Sequence, residues 1–108
     1  MGYVTLTDDG FSVRADGKDA AVNWADVQQI VAFKRDLFSS DLICLAFALR
    51  AGCQSGAAFV ELDESMEGFQ ELFGPLERVF GVSPTWYNDI MVPVFETKMT
   101  VLFERAGG

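Results

Sequence analysis

The sequence contains no histidine. Histidine is the usual base of Ser-His and Cys-His nucleophile systems and the commonest metal ligand, so its absence excludes those chemistries. Two isolated cysteines, Cys44 and Cys53, cannot make a structural zinc site. The chain also lacks the Gly-x-Ser-x-Gly, P-loop and Gly-x-Gly-x-x-Gly motifs. We therefore expect no catalytic residue, no bound metal, no cofactor and no enzyme activity.

Basic residues are scarce as well. Eight Lys and Arg residues stand against sixteen Asp and Glu residues, which gives a net charge of -8. Nucleic acids and anionic membranes both require a basic surface, so neither is an expected partner. An acidic surplus suits a basic protein partner, and it equally suits a surface that only keeps the protein in solution. No apolar run is long enough to span a membrane and no secretory signal is visible, so we expect a cytoplasmic protein.

A length of 108 residues predicts one domain, 1–108. Alternating apolar and polar residues, separated by Asp-Gly turns, predict strands, and a three- and four-residue apolar period predicts a helix. Pro75 interrupts that helix and is expected to kink it, with Ser65 as its N-cap and Gly81 just after its end. The predicted strands cover about 3–7, 11–15, 19–24, 29–36, 41–50, 57–62 and 99–104, and the helices about 66–80 and 84–90.

The segment 24–50 organises the predicted fold. The run Leu42–Leu49 is apolar on both alternating faces, which is typical of a central strand that is covered on each side. It forms a hairpin with the preceding strand. Trp24 closes the third strand and begins a bend that continues through Val27 and Ile30. We expect Trp24 to be buried at this bend, and its truncation to be more damaging than that of Trp86.

An acidic block is the first candidate site. No basic residue lies between Arg50 and Arg78, whereas acidic residues are frequent there, and the candidate binding residues among them are Glu61, Asp63, Glu64 and Glu67. Such a surface attracts a basic partner, and the last three carboxylates are also candidates to converge on Ca²⁺ or Mg²⁺. Alternatively, they complement a helix dipole and form a solvated face.

Two further groups are candidates for binding. Lys34, Arg35, Asp36 and Asp41 lie at the end of the central hairpin, either as a ligand site or as cross-strand pairs such as Arg35 with Asp41. Trp86 and Tyr87 follow Pro84 in the short helix. Amphipathic aromatic residues are common interface anchors, and they also serve to pack a helix onto a sheet.

The predicted elements follow in the order meander, bend, two long strands and helix, and the bend contains Trp24, Val27 and Ile30. This order and these three residues resemble small bacterial pleckstrin-homology-like domains, including the GRAM type. The resemblance implies an α+β fold: an antiparallel, strongly curved sheet of six to seven strands or a partial barrel, with one kinked amphipathic helix. The residue pattern adds a short C-terminal helix and a strand, and this extension, Trp86–Phe103, is not part of the usual family pattern. The lipid-binding members carry basic residues near the first hairpin, but this chain has Asp8-Asp9-Gly10 there.

These observations predict a non-catalytic protein-interaction module of a bacterial-type cytoplasm. In one version it is immunity-like, with an acidic face that neutralises a basic enzyme. The alternatives are a small-molecule carrier with a cavity in a half-barrel and an enzyme that uses carboxylates alone, such as Asp36 and Asp41. Ten Phe and two Trp are more than one small core holds, which also predicts a homodimer.

Overall fold

The computed structural model describes residues 2–15, 17–37, 40–52, 58–91 and 99–105. This part of the chain forms seven strands, two α-helices and two short 3₁₀ helices, Trp24–Asp26 and Phe69–Leu72. In chain order these are β1 (Gly2–Leu6), β2 (Gly10–Ala15), β3 (Lys18–Asn23), β4 (Val27–Leu37), β5 (Ser40–Leu49), β6 (Phe59–Asp63), α1 (Phe73–Phe80), α2 (Trp86–Met91) and β7 (Met99–Glu104). Of the helices in these ranges, none is long and apolar enough to cross a bilayer.

The strands form two antiparallel sheets instead of one. The first has three strands in the order β1-β2-β3, and the second has four in the order β6-β5-β4-β7. The central hairpin of β4 and β5 is confirmed, with Ile30 opposite Phe47 and Phe33 opposite Cys44. The predicted single curved sheet or partial barrel is wrong, because no hydrogen-bonded ladder joins the two sheets in the described ranges.

The separation of the sheets has a local cause in the 3₁₀ turn Trp24–Asp26 between β3 and β4. The backbone carbonyl of Asp26 accepts the N–H of Arg50 at 2.9 Å, and its carboxylate pairs with the Arg50 guanidinium at 2.5 Å. The turn is thus fixed to the far end of β5. The chain therefore enters the second sheet when it leaves β3, and β3 and β4 do not pair.

The predicted kinked helix is also wrong. The 3₁₀ helix Phe69–Leu72 runs directly into α1, and Pro75 is the third residue of α1. Pro75 thus lies in the first α-helical turn after the 3₁₀ segment, and the helix continues through it to Phe80. Ser65 does not cap the helix, since its N–H and hydroxyl both donate to Asp63. Gly81, with a φ of 67°, ends α1 as predicted.

The core lies between the two sheets. Phe11 of β2 and Phe47 of β5 are both fully buried, and their ring centroids are 5.0 Å apart. Alternate residues of β5, including Ile43 and Leu45, face this core, and α1 and α2 supply further apolar side chains to it. On the opposite face of β5 Cys44 is also buried, whereas its neighbours Leu42, Ala46 and Ala48 are only partly covered.

The two tryptophans differ in burial, in the opposite order to that predicted. Trp24 is half-buried between Phe11 and Phe80, at centroid distances of 5.5 and 5.7 Å. Trp86 is only 3% exposed, and its ring packs on Phe73 at 5.1 Å. Trp24 lies at the rim of the core, whereas Trp86 anchors α2 within it.

We expect Trp86→Ala to destabilise the protein more than Trp24→Ala. Truncation of a buried tryptophan typically costs about 3–5 kcal/mol, and a half-buried ring loses less apolar contact. Urea unfolding of both variants, followed by far-UV circular dichroism, gives the two free energies. A larger loss for Trp24→Ala would contradict the packing described here.

Candidate functional site

Lys34 lies in the core at the end of the central hairpin. Its side chain is 2% exposed, and its Nζ donates a hydrogen bond to the carbonyl of Met91 at 3.2 Å. The same Nζ lies 3.6 Å from Oδ2 of Asp41, which is also largely buried. Because the carbonyl belongs to the last residue of α2, this charge pair fixes the end of that helix against β4 and β5.

Arg35 lies on the opposite face of the sheet, as adjacent residues of a strand must. Its guanidinium binds Glu61 of β6 at 2.5 Å, so the predicted pair of Arg35 with Asp41 is wrong. By the strand register, this ion pair crosses β5 over Cys44. Burial raises the pKa of the Cys44 thiol to about 11. Nearby carboxylates also raise this pKa, whereas the Arg35 guanidinium lowers it. The side chain of Asp36 lies outside the part that the structure describes, as does the Cys53 loop.

Tyr87 and Trp86 both lie at the contact between α2 and the rest of the fold. The Tyr87 hydroxyl donates to one oxygen of Glu64, and the other oxygen accepts the N–H of Ile43 at 3.0 Å. Burial, together with this hydrogen bond, raises the pKa of Tyr87 to about 12. Both aromatic rings also pack on Phe73. These contacts make Glu64, Trp86 and Tyr87 parts of the helix packing.

The acidic block is therefore dispersed. Asp63 accepts the N–H of Ser65 at 2.9 Å, Glu64 is bound to Tyr87, and Glu67 is exposed beside β1. Among the described residues, no three Asp, Glu or Cys side chains are grouped so that they could hold a metal ion. Convergence of residues 63, 64 and 67 on one cation, an alternative that the sequence left open, does not occur.

The outer face of the four-stranded sheet exposes apolar side chains. Met99 is 71% exposed, Val101 of the same strand is 54% exposed, and Phe59 of β6 is also exposed. Val31 and Phe33 of β4, which are opposite Val101 and Met99, are half-buried. The homodimer stays a prediction.

Glu67 forms one wall of a groove along β1. Its carbonyl accepts the N–H of Val4 at 2.7 Å, and its own N–H donates to the carbonyl of Gly2 at 3.1 Å. Gly68 follows with a φ of 87°, and a Cβ there would lie 2.2 Å from the Val4 carbonyl oxygen. Only glycine lets the chain turn this close to β1.

Beyond Val4 the groove is open. It has a volume of about 650 Å³ and is lined by Tyr3, Val4, Thr5, Leu6, Glu67, Gly68 and Glu71. Tyr3 and Leu6 expose apolar surface, Glu67 and Glu71 are exposed carboxylates, and none of the described residues that line the groove is basic. Asp8 and Asp9, which are exposed in the following turn, extend the negative charge past the end of β1.

Sequence reasoning singled out Glu67 but not its neighbours in the groove. Tyr3 and Leu6 read as ordinary alternating residues of a first strand, and nothing in the sequence shows which side of β1 has a partner. The Gly68 that follows Glu67 is the one local signal, because glycine often marks a close backbone approach.

We expect Lys34→Met to destabilise the protein by about 3–5 kcal/mol, because it leaves the Asp41 carboxylate buried without its cation. The double variant Lys34→Met/Asp41→Leu should recover much of this loss, since no buried charge remains. Urea melts of the two single variants and the double variant give the coupling energy. Equal stability of wild type and Lys34→Met would show that this charge pair does not hold α2.

No protein-family model matches the chain, and neither the curated proteins nor the solved structures contain a significant match to it. The resemblance to pleckstrin-homology-like domains therefore stays a prediction.

Proposed function

We propose that the protein is a non-catalytic protein-interaction module that binds a basic partner through the groove beside β1. The observation that carries this proposal is the groove lining, in which Glu67 and Glu71 are the charged residues and none of the described lining residues is basic. We place the module in a bacterial-type cytoplasm. An immunity-like inhibitor of a basic enzyme is the specific form that this charge favours.

The charge distribution supports this site over the rest of the surface. Three acids outside the groove are paired in the described part of the chain: Asp26 pairs with Arg50, Glu61 with Arg35, and Asp19 with Arg14. None of the ion pairs between described residues involves Glu67 or Glu71. A cationic partner at the groove therefore gains attraction without breaking an existing pair.

The two alternatives have less support. The small-molecule carrier depended on a half-barrel, and the described strands form two open sheets. The carboxylate enzyme depended on Asp41, which is engaged by the buried Lys34 at the α2 contact. An interaction surface is the function that the described geometry favours.

We expect basic proteins from the source lysate to be retained by the immobilised wild-type protein and released by salt. Raising NaCl from about 0.05 to about 0.5 M shortens the screening length roughly threefold, which weakens exposed charge pairs. The double variant Glu67→Gln/Glu71→Gln should lose these proteins, whereas Glu77→Gln should retain them, since Glu77 is exposed on α1 outside the groove.

Quantitative mass spectrometry of the three eluates decides the outcome. Identical sets of proteins on wild type and on Glu67→Gln/Glu71→Gln would contradict the groove as the binding surface. A bound set without a surplus of basic proteins would contradict the charge argument.

A further inference from the structure

We propose that the groove binds its partner by strand addition: an extended basic segment pairs with the open edge of β1 and becomes a fourth strand of the first sheet. This inference rests on the proposed function, and it specifies the conformation and chemistry of the bound segment. It stands on the backbone geometry of β1, which is independent of the carboxylates that carry the proposed function.

The edge of β1 that faces the groove has backbone N–H and C=O groups that are available for hydrogen bonds. In an antiparallel strand, successive residues direct their N–H and C=O groups to opposite sides. The Gly2 carbonyl and the Val4 N–H both point away from β2, toward Glu67. The N–H and C=O of Leu6, two residues further, therefore point in the same direction, into the groove. Such an edge is a template for an added strand.

The protein already shows that this edge accepts a strand partner. Glu67 forms a single parallel bridge with Tyr3, through its hydrogen bonds with Gly2 and Val4. The chain then turns away at Gly68 into the 3₁₀ helix Phe69–Leu72. Pairing therefore stops after one residue because the chain leaves the edge, and Leu6 is left beside the opening.

The side chains around the groove select the bound segment. Alternate side chains of an added strand point to opposite faces. Apolar side chains at every second position would lie on the face of Leu6, which is 38% exposed, and the alternate side chains would lie on the face of Tyr3 and Glu67. Lys or Arg side chains would reach Glu67 and Glu71, with Asp8 and Asp9 beyond the end of β1. The segment that fits is an extended one in which basic and β-branched residues alternate.

The edges of the second sheet suit this segment less well. On β6, Glu61 is already paired with Arg35 and Asp63 with Ser65. On β7, the register shifts between Ile30 and Val31, which disturbs the edge, and the exposed residues Met99 and Val101 carry no charge. Compared with the edges of β6 and β7, that of β1 combines available backbone groups with carboxylates that are in no ion pair between described residues.

A synthetic peptide, acetyl-Lys-Val-Lys-Val-Lys-Val-Lys-amide, is the probe. We expect it to bind the full chain at low salt in a calorimetric titration. In ¹⁵N-resolved NMR spectra, the amide of Leu6 should shift most, with those of Val4 and Gly68. The same peptide with Glu in place of Lys is the charge control and should not bind. Failure of the Lys peptide to bind, or shifts confined to other strands, would overturn strand addition.

One substitution removes the backbone pairing without removing charge. Leu6→Pro deletes the N–H that faces the groove, and Leu6→Ala is its matched control because it keeps that N–H. We expect Leu6→Pro to bind the peptide about tenfold more weakly than Leu6→Ala, a factor appropriate to one or two lost hydrogen bonds. Should Leu6→Pro not fold, peptides N-methylated at alternate residues make the same test on the wild-type protein. One of the two methylation registers should then lose binding.

The outcomes separate the inference from the proposed function. Equal binding by Leu6→Pro and Leu6→Ala, or full binding by both methylated peptides, would overturn strand addition. If the loss of lysate proteins from Glu67→Gln/Glu71→Gln persisted in that case, the proposed function would still hold. If Glu67→Gln/Glu71→Gln bound the Lys peptide as well as wild type did, the charge selection proposed here would be wrong too.

Discussion

The contact between Phe11 and Phe47 joins the two sheets, and the rest of the structure depends on it. Both rings are fully buried, one from β2 and one from β5, which are inner strands of the two sheets, with centroids 5.0 Å apart. The apolar face of the three-stranded sheet, which includes Phe11, must be buried against another element of the fold. Its attachment to β5 at this point positions β1 beside Glu67, so the groove is a consequence of how the sheets pack.

The same packing explains why the charged residues of the hairpin serve different purposes. Lys34 faces the layer that the two sheets and α2 share, and its ammonium is held by Asp41 and the Met91 carbonyl. Arg35, one residue on, faces the outside and pairs with Glu61. A buried ion pair fixes geometry more than it adds stability, and an exposed pair contributes little. Glu67 and Glu71, at the groove, take part in none of the ion pairs between described residues.

Local patterns in the sequence predicted the elements well, and long-range pairing poorly. The alternation of residues 42–49 and the Asp-Gly turns are local signals, and the strands lie where these signals place them. Whether β3 and β4 pair in one sheet depends instead on Asp26. Its salt bridge with Arg50 spans 24 positions and has no local signature in the sequence. Similarly, alternation along β4 places Lys34 and Arg35 on opposite faces of the strand. Lys34 is the buried one because its face meets the first sheet. The groove beside Leu6 depends on Gly68, 62 positions away, and so was not predictable.

The claim on which the account rests is that β1 has an open edge beyond Val4. Amide hydrogen exchange of the free protein, read residue by residue by NMR, tests it directly. The Val4 amide, which is bonded to Glu67, should exchange slowly, and the Leu6 amide should exchange orders of magnitude faster. Addition of the Lys peptide should then slow exchange at Leu6 and leave Val4 unchanged. Equal and strong protection of Val4 and Leu6 in the free protein would contradict the account, because it would mean that the edge is already occupied.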